Sequence, residues 1–274
     1  MELFVTDLDG TLINKDRQVT KKSEEIINEL IKSGMNFTVA TARTPATAVE
    51  ILQNLDLKLP VALMNGVLIY DTKELKYIDI KDINIESTYK ILDIFEKYNK
   101  NPLVYGIVDN HLWVYHKEFE HAYEYNFYKE RADKELKTFV KISNYKESVL
   151  KSSIINFVAF DEYEKIKSIA EEIEKIEGIN VNYYKDVYED CYFLEAYSSE
   201  ASKANGIKYL SKYINYKNVI CFGDNLNDIP MFELANEAYA TANATEEVKK
   251  IATGVIGSCE KEGVAEFLKE RFQN

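Results

Sequence analysis

"VTDLDGTLINKDRQVT" (residues 5–20) decides how the rest of the chain is read. An apolar run ends there in two acids one residue apart, Asp7 and Asp9, followed by Gly10 and the hydroxyl of Thr11. Carboxylates that close repel each other, so the pair costs stability unless a cation lies between them or one acid keeps its proton. Taken alone, the residues are equally those of an Asp-Gly turn after a strand. A second stretch separates the two readings. "VICFGDNLNDIPM" (219–231) also ends an apolar run on a glycine, Gly223, and then delivers Asp224, Asn227 and Asp228. A turn with a helix cap would account for this stretch by itself. Two strand ends that each bring carboxylates suit Mg2+, which takes oxygen ligands and keeps several waters.

Composition narrows the function classes. The chain has 274 residues, 46% of them hydrophobic, enough for one large domain or two of ordinary size. With 34 basic against 46 acidic residues the net charge is −12, and no basic stripe exists to follow a phosphate backbone, so no nucleic-acid partner is expected. The amino terminus lacks the basic segment and apolar core of a signal peptide. No apolar run approaches the roughly 20 residues needed to cross a bilayer. The expectation is a cytoplasmic protein without a membrane partner. Cys191, Cys221 and Cys259 are scattered, with no CxxC pairing, and read as buried or idle thiols. His111, His116 and His121 recur every five residues, a spacing that does not share a helix face and argues against a metal site.

Periodicity supplies the architecture. "ELFV" reads as a buried strand, and "TKKSEEIINELIKSG" as a helix with Ile26, Ile27, Leu30 and Ile31 on one face, Thr20 as cap and Gly34 as stop. "FTVATA" reads as a second strand, "TPATAVEILQNLDL" as a helix with Pro45 in its first turn, and "PVALMN" as a third strand. Such alternation predicts a parallel sheet with helices on its faces, an α/β fold whose ligands bind at the carboxyl ends of the strands. Asp7, Thr41 and Asn65 all stand at such ends. After a hairpin around "DTKE" the pattern changes. "LVYGIVDNHLWVY" reads as a hairpin turning at Asp109 and Asn110, and a polar helix is expected from about Lys117 to Arg131. A strand "IINFVAF", a charged helix and a strand "INVNYY" follow. The alternating pattern then returns, with helices at "SKANGIKYLSKYI", "NDIPMFELA", "EEVKKIA" and "GVAEFLKERF" and strands at "NVICFG" and "EAYATA". The chain therefore divides into a core formed by residues 1–83 and 189–274 and an inserted α+β domain over 84–188.

These motifs, in their order, resemble a known family. D-x-D-G-T-L at Asp7, Asp9, Gly10, Thr11 and Leu12, "TAR" at 41–43, Lys203 in "SKANG", and G-D-x-x-N-D-x-x-M from Gly223 to Met231 are similar to the haloacid dehalogenase superfamily. The insertion between "TAR" and the lysine resembles the type IIB cap of its Cof-type sugar-phosphatase branch. The resemblance implies a Rossmann-like parallel-sheet core with an inserted α+β cap of type C2B. It also implies a Mg2+-dependent phosphatase acting on a small phosphorylated metabolite, a sugar phosphate first, as a monomer or weak homodimer. Asp7 matches the nucleophile that becomes an aspartyl phosphate. Asp9 matches the general acid/base, with its carbonyl also a Mg2+ ligand. Asp7 and Asp224 match metal-binding side chains and Asp228 the supporting acid behind the metal waters. Thr41 matches the hydroxyl that holds a phosphoryl oxygen, and Lys203 the balancing cation. Thr11, Arg43, Asn65, Gly66 and Asn227 are expected to contact substrate or line its pocket. Ala42 and Ala204 depart from the glycines usual in the family, and Ala42 restricts the backbone beside the phosphate loop.

Physical sense stands behind these roles. A phosphate dianion repels a carboxylate nucleophile, so positive charge must be concentrated on both. A phosphomutase of the same superfamily is one alternative. A phospho-accepting receiver module or a protein that only binds phosphorylated ligands is another. Receivers are much shorter, carry their phosphorylated Asp on a later strand, and have no inserted domain.

Overall fold

The computed structural model describes residues 1–185 and 190–273. The expected boundary between residues 188 and 189 lies outside them. Two compact units emerge: Met1–Asp79 together with Ala201–Asn274, and Ile80–Glu200.

The first stretch of the first unit contains β1 (Glu2–Thr6), α1 (Lys21–Lys32), β2 (Asn36–Val39), α2 (Pro45–Leu52), β3 (Val61–Leu63), β4 (Leu68–Asp71) and β5 (Lys76–Ile80). The second unit adds α3 (Ile85–Lys97), β6 (Leu103–Val108), β7 (His111–His116), α4 (Ala122–Lys129), β8 (Lys137–Lys141), α5 (Tyr145–Ser148), β9 (Ser153–Asp161), α6 (Tyr163–Ile173), β10 (Ile179–Lys185) and β11 (Tyr192–Ser198). The chain returns to the first unit with α7 (Lys203–Tyr209), β12 (Asn218–Gly223), α8 (Ile229–Leu234), β13 (Glu237–Thr241), α9 (Glu246–Ile251), β14 (Gly254–Ile256) and α10 (Gly263–Gln273).

In the first unit five strands run parallel in the order β14-β13-β12-β1-β2. Parallel strands are covered on both faces, so they read as near-continuous apolar runs. Leu3, Phe4 and Val5 of β1 and Val219 to Phe222 of β12 are accordingly all buried. Helix α1 starts where Thr20 accepts a hydrogen bond from the Ser23 N–H at 3.2 Å, and it buries Ile27 and Ile31. Ile26 and Leu30, expected on the same face, are only half-buried. Gly34 ends the turn after α1 with φ 104°.

The expected third parallel strand is corrected. "PVALMN" yields only three strand residues, and β3 pairs antiparallel with β4 in a separate sheet of order β3-β4-β5. A single parallel bridge, Ala40 to Ala62, ties it to the chain leaving β2. Pro60 has no N–H for a longer ladder. Left-handed φ values at Met64 (50°), Asn65 (54°) and Gly66 (88°) then turn the chain back into β4.

The second unit is a six-stranded sheet of order β10-β11-β9-β6-β7-β8, antiparallel except for β7 against β8. Helices α3 and α6 cover one face, where Ile91, Phe95, Ile166, Ile169 and Ile173 pack with Val104, Phe157 and Leu194. Asp109 and Asn110 both have positive φ, as a two-residue hairpin turn of type I′ requires. The expected helix over 117–131 is shorter. Buried Glu124 takes the Glu120 and His121 N–H groups on its carboxylate and so fixes the start of α4 at Ala122. Strand β11, at residues 192–198, belongs to this sheet. Among the described residues no helix is long and apolar enough to cross a membrane.

Replacing the α1 cap, Thr20→Ala, is expected to cost about 1 kcal/mol in urea unfolding, because the Ser23 N–H loses its side-chain acceptor. An unchanged midpoint and slope would show that the cap contributes nothing.

Candidate active site

Strands β1 and β12 lie side by side with Thr6 opposite Phe222, so the residues that leave them emerge at one sheet edge. The Asp7 N–H donates to the Phe222 carbonyl at 2.9 Å and extends the pairing one residue further. Lys203 opens α7, whose first turn is capped by Ser202 accepting from the Asn205 N–H. The Lys203 ammonium donates to Asp7 Oδ1 and to Asp228 Oδ1, both at 2.6 Å. All three residues are at least 95% buried. The other oxygen of Asp228 accepts the backbone N–H groups of Asp224 (2.8 Å) and Asn225 (3.1 Å).

Asp224 completes the cluster, with ligand oxygens of Asp7, Asp224 and Asp228 within 4.8 Å of one another. Thr11 donates to Asp224 Oδ1 at 3.3 Å. Gly10 explains how Asp224 gets so near the first loop. Its φ is 74°, and a Cβ there would stand 2.2 Å from Asp224 Oδ2. Its carbonyl is held by Asn243 Nδ2 (2.7 Å) and Thr241 Oγ1 (3.2 Å), from the end of β13.

Three carboxylates face one ammonium here, so the cluster is two charges negative when all four groups are ionised. Burial, opposed by Lys203 and reinforced by the charges of Asp228 and Asp224, raises Asp7 from 3.8 to about 8. Burial and Asp228 likewise raise Asp224 to about 6, against the hydrogen bond from Thr11. Burial pulls Lys203 down, but Asp7 and Asp228 outweigh it and hold the ammonium above its ordinary value. Packed oxygen ligands with two uncompensated negative charges fit a hard divalent cation such as Mg2+.

The remaining expected residues group around a neighbouring loop. Thr41 is buried, and its hydroxyl accepts the Arg43 N–H at 3.2 Å. The turn at Met64 and Asn65 pins this loop, its N–H groups donating to the carbonyls of Arg43 (3.0 Å) and Thr41 (2.9 Å). Ala42 lies outside the left-handed region, so its methyl group causes no strain. Gly66 is required by a close approach, since a Cβ on it would stand 2.1 Å from the carbonyl of Ser202, next to Lys203. Asn227 donates to Asn65 Oδ1 at 3.3 Å.

Two residues expected to act separately are bonded to each other. Arg43 donates through Nε and an Nη to the two oxygens of Asp9, each at 2.6 Å. Sequence reading missed this pair, for which it held no sign, and missed Asn243 and Thr241 as well. The signal for the last two was present, because "EAYATA" ends a further parallel strand at the same sheet edge.

The histidines do not gather into one site. His111 bonds Thr138 and His116 the carbonyl of Lys117. His121 does lie with Glu120 and Asp161, but the buried Lys100 ammonium is already paired with Glu120 (3.2 Å) and Asp161 (3.3 Å).

The haloacid dehalogenase-like hydrolase family matches residues 4–268. The chain belongs to that family. A 5-amino-6-(5-phospho-D-ribitylamino)uracil phosphatase of Bacillus subtilis is 24% identical over 98% of this chain and 97% of its own. A pyridoxal phosphate phosphatase of Escherichia coli is 22% identical, over 97% of both chains. A solved structure described as a haloacid dehalogenase subclass IIB sugar phosphatase shares the fold, with TM-score 0.74, 19% identity and 98% coverage of both chains. The protein is thus a phosphatase acting on a phosphorylated small molecule, built on a parallel-sheet core with a separate, mixed-sheet unit.

Without a divalent ion, stability should fall as pH rises from about 3.8 toward 8, because folded Asp7 keeps its proton over that window and the unfolded chain does not. Mg2+ competes with those protons, so its effect on the melting temperature, measured against EDTA, should be larger at pH 8 than at pH 5. An equal Mg2+ effect at both values would contradict the assignment of this cluster as the metal site.

Proposed function

We propose that the chain hydrolyses a small phosphate monoester, a sugar phosphate first, in the cytoplasm, with Asp7 as nucleophile. The observation that carries the reading is the Lys203 ammonium bridging Asp7 and Asp228 inside a cluster that would be two charges negative with all four groups ionised. Asp7, Asp224, Asp228 and the Asp9 carbonyl would hold Mg2+, which supplies charge to screen nucleophile from phosphate. The three buried, free cysteines support a reducing compartment. The phosphoribityl chain in the name of one relative and the sugar phosphatase among the fold neighbours support a sugar-like substrate. The inserted unit takes the part of the cap that selects it.

The steps follow from the residues. Lys203 keeps Asp7 Oδ1 in place and offsets its charge as the phosphate dianion approaches. Asp7 forms a bond to phosphorus while the bond to the leaving alcohol oxygen breaks, and Asp9 gives that oxygen its proton. Water then attacks the phosphoryl group, Asp9 takes the water's proton, and phosphate departs with Asp7 restored. Thr41 donates a hydrogen bond to a phosphoryl oxygen. Arg43 suits the same dianion, since guanidinium binds phosphate and carboxylate alike in two-point fashion. Phosphate arriving at Arg43 therefore displaces Asp9 and frees its carboxyl for proton transfer. Thr11, Gly10 and Gly66 serve the geometry, by holding Asp224 and by letting Asp224 and Ser202 come close.

Phosphate release from a panel of sugar phosphates, nucleotides and other phosphorylated metabolites, with Mg2+ and with EDTA, tests the reading. Release should require Mg2+ and vanish in Asp7→Asn, whose fold is retained. Silence across the panel, or near wild-type turnover in Asp7→Asn, contradicts it. Asp9→Asn should lower turnover by about 10²–10⁴-fold, the range of a positioned acid/base. A change confined to Mg2+ affinity would remove that role from Asp9.

A further inference from the structure

One face of the six-stranded sheet of the second unit lies under α3 and α6, and strand registers define the residues of the other. Lys137 stands opposite Leu112, Val114 opposite Tyr105, Tyr105 opposite Asn156, and Val158 opposite Glu195. Residues two apart in a strand share a face, so Lys137, Tyr105, Asn156 and Glu195 all lie on the side away from the two helices. These polar groups share that face with the buried Leu112, Val114 and Val158. Tyr105, Lys137 and Asn156 are each more than 95% out of solvent.

Lys137 is the exception among the buried lysines. Lys100 and Lys203 each sit on two or more carboxylates at 3.3 Å or less. No carboxylate among the described residues pairs with Lys137. Its charged neighbours are cations, Arg131 and Lys134, and with burial they push it down to about 8. The Phe139 ring centroid lies 5.1 Å from Nζ, and a ring face offsets little of what an ammonium loses on leaving water. Arg131 is only partly exposed, stacks 3.9 Å from the Phe127 ring centroid, and donates to the Phe127 carbonyl and to Glu130. Its charge reaches Tyr105 on the same sheet face. A desolvated ammonium beside like charges either gives up its proton or takes an anion as partner.

We propose that Lys137 and Arg131 form an oxyanion site in the second unit, which takes the phosphate or carboxylate group of a small ligand. That ligand is a free anion, so the proposal does not rest on the phosphatase reading above.

The test uses the full chain, the variants Lys137→Met and Arg131→Gln, and inorganic phosphate as probe, titrated calorimetrically with Mg2+ present. Wild type should bind two phosphates per chain, one at the Asp7 cluster and one at Lys137. Lys137→Met should bind one, and Arg131→Gln should weaken the second site at least tenfold. Lys137→Met should also melt no lower than wild type, because it removes an unpaired buried charge, and the partly exposed Arg131→Gln covers the case of a misfolded Lys137 variant. Equal phosphate stoichiometry and affinity in all three proteins overturns the proposal. The phosphate count stands even if no substrate is hydrolysed, so a failure of the phosphatase reading remains distinguishable.

Discussion

Three carboxylates held against a single buried ammonium set the terms for the first unit. Buried charge is tolerated only where partners are supplied, and Lys203 supplies one positive charge to Asp7, Asp224 and Asp228 together. The cluster answers the excess either by retaining protons, which is why Asp7 stands near 8, or by accepting a divalent ion. Both answers keep the Asp7 carboxylate compact and screened. In the proposed mechanism a phosphoryl group approaches only after positive charge has been gathered there, so stability and the proposed chemistry have the same electrostatic requirement.

The fold meets that requirement through strand order. Placing β1 next to β12 brings two chain-distant acidic loops to one edge, 213 residues apart where Thr11 meets Asp224. The strand ends are then locked from behind. Asp228 is fastened by the N–H groups of Asp224 and Asn225, Gly10 by Asn243 and Thr241, and the Thr41–Arg43 loop by the left-handed turn at Met64 and Asn65. Left-handed φ at a residue as large as Met64 is a strained conformation, and it is kept where its N–H secures the loop beside Thr41.

What the sequence made legible follows the same logic. Acids at the ends of apolar runs were visible, and the structure brings Asp7, Asp224, Asp228 and Lys203 within hydrogen-bond and ligand distance. Side-chain choices between exposed partners were not visible, so the Arg43–Asp9 pair came from the coordinates alone. The alternating core strands were clear, because burial on both faces makes their apolar runs unbroken. β3 was read into the wrong sheet because three buried residues carry no sign of their partner. β11 escaped because Glu195 interrupts "YFLEAYS" with a half-buried acid, and β8 because lysines bound it at both ends. α3 carried a usable signal in Ile91, Leu92 and Phe95, which the surrounding Tyr, Lys and Glu obscured.

The most direct measurement is rapid quenching of the enzyme in acid during turnover of a hydrolysed sugar phosphate, followed by peptide mass spectrometry. The account predicts a phosphoryl group on the peptide that contains Asp7, present at short times and gone when substrate is exhausted. A fully active enzyme that yields no phosphorylated peptide under these conditions, or one phosphorylated at a residue other than Asp7, would contradict it.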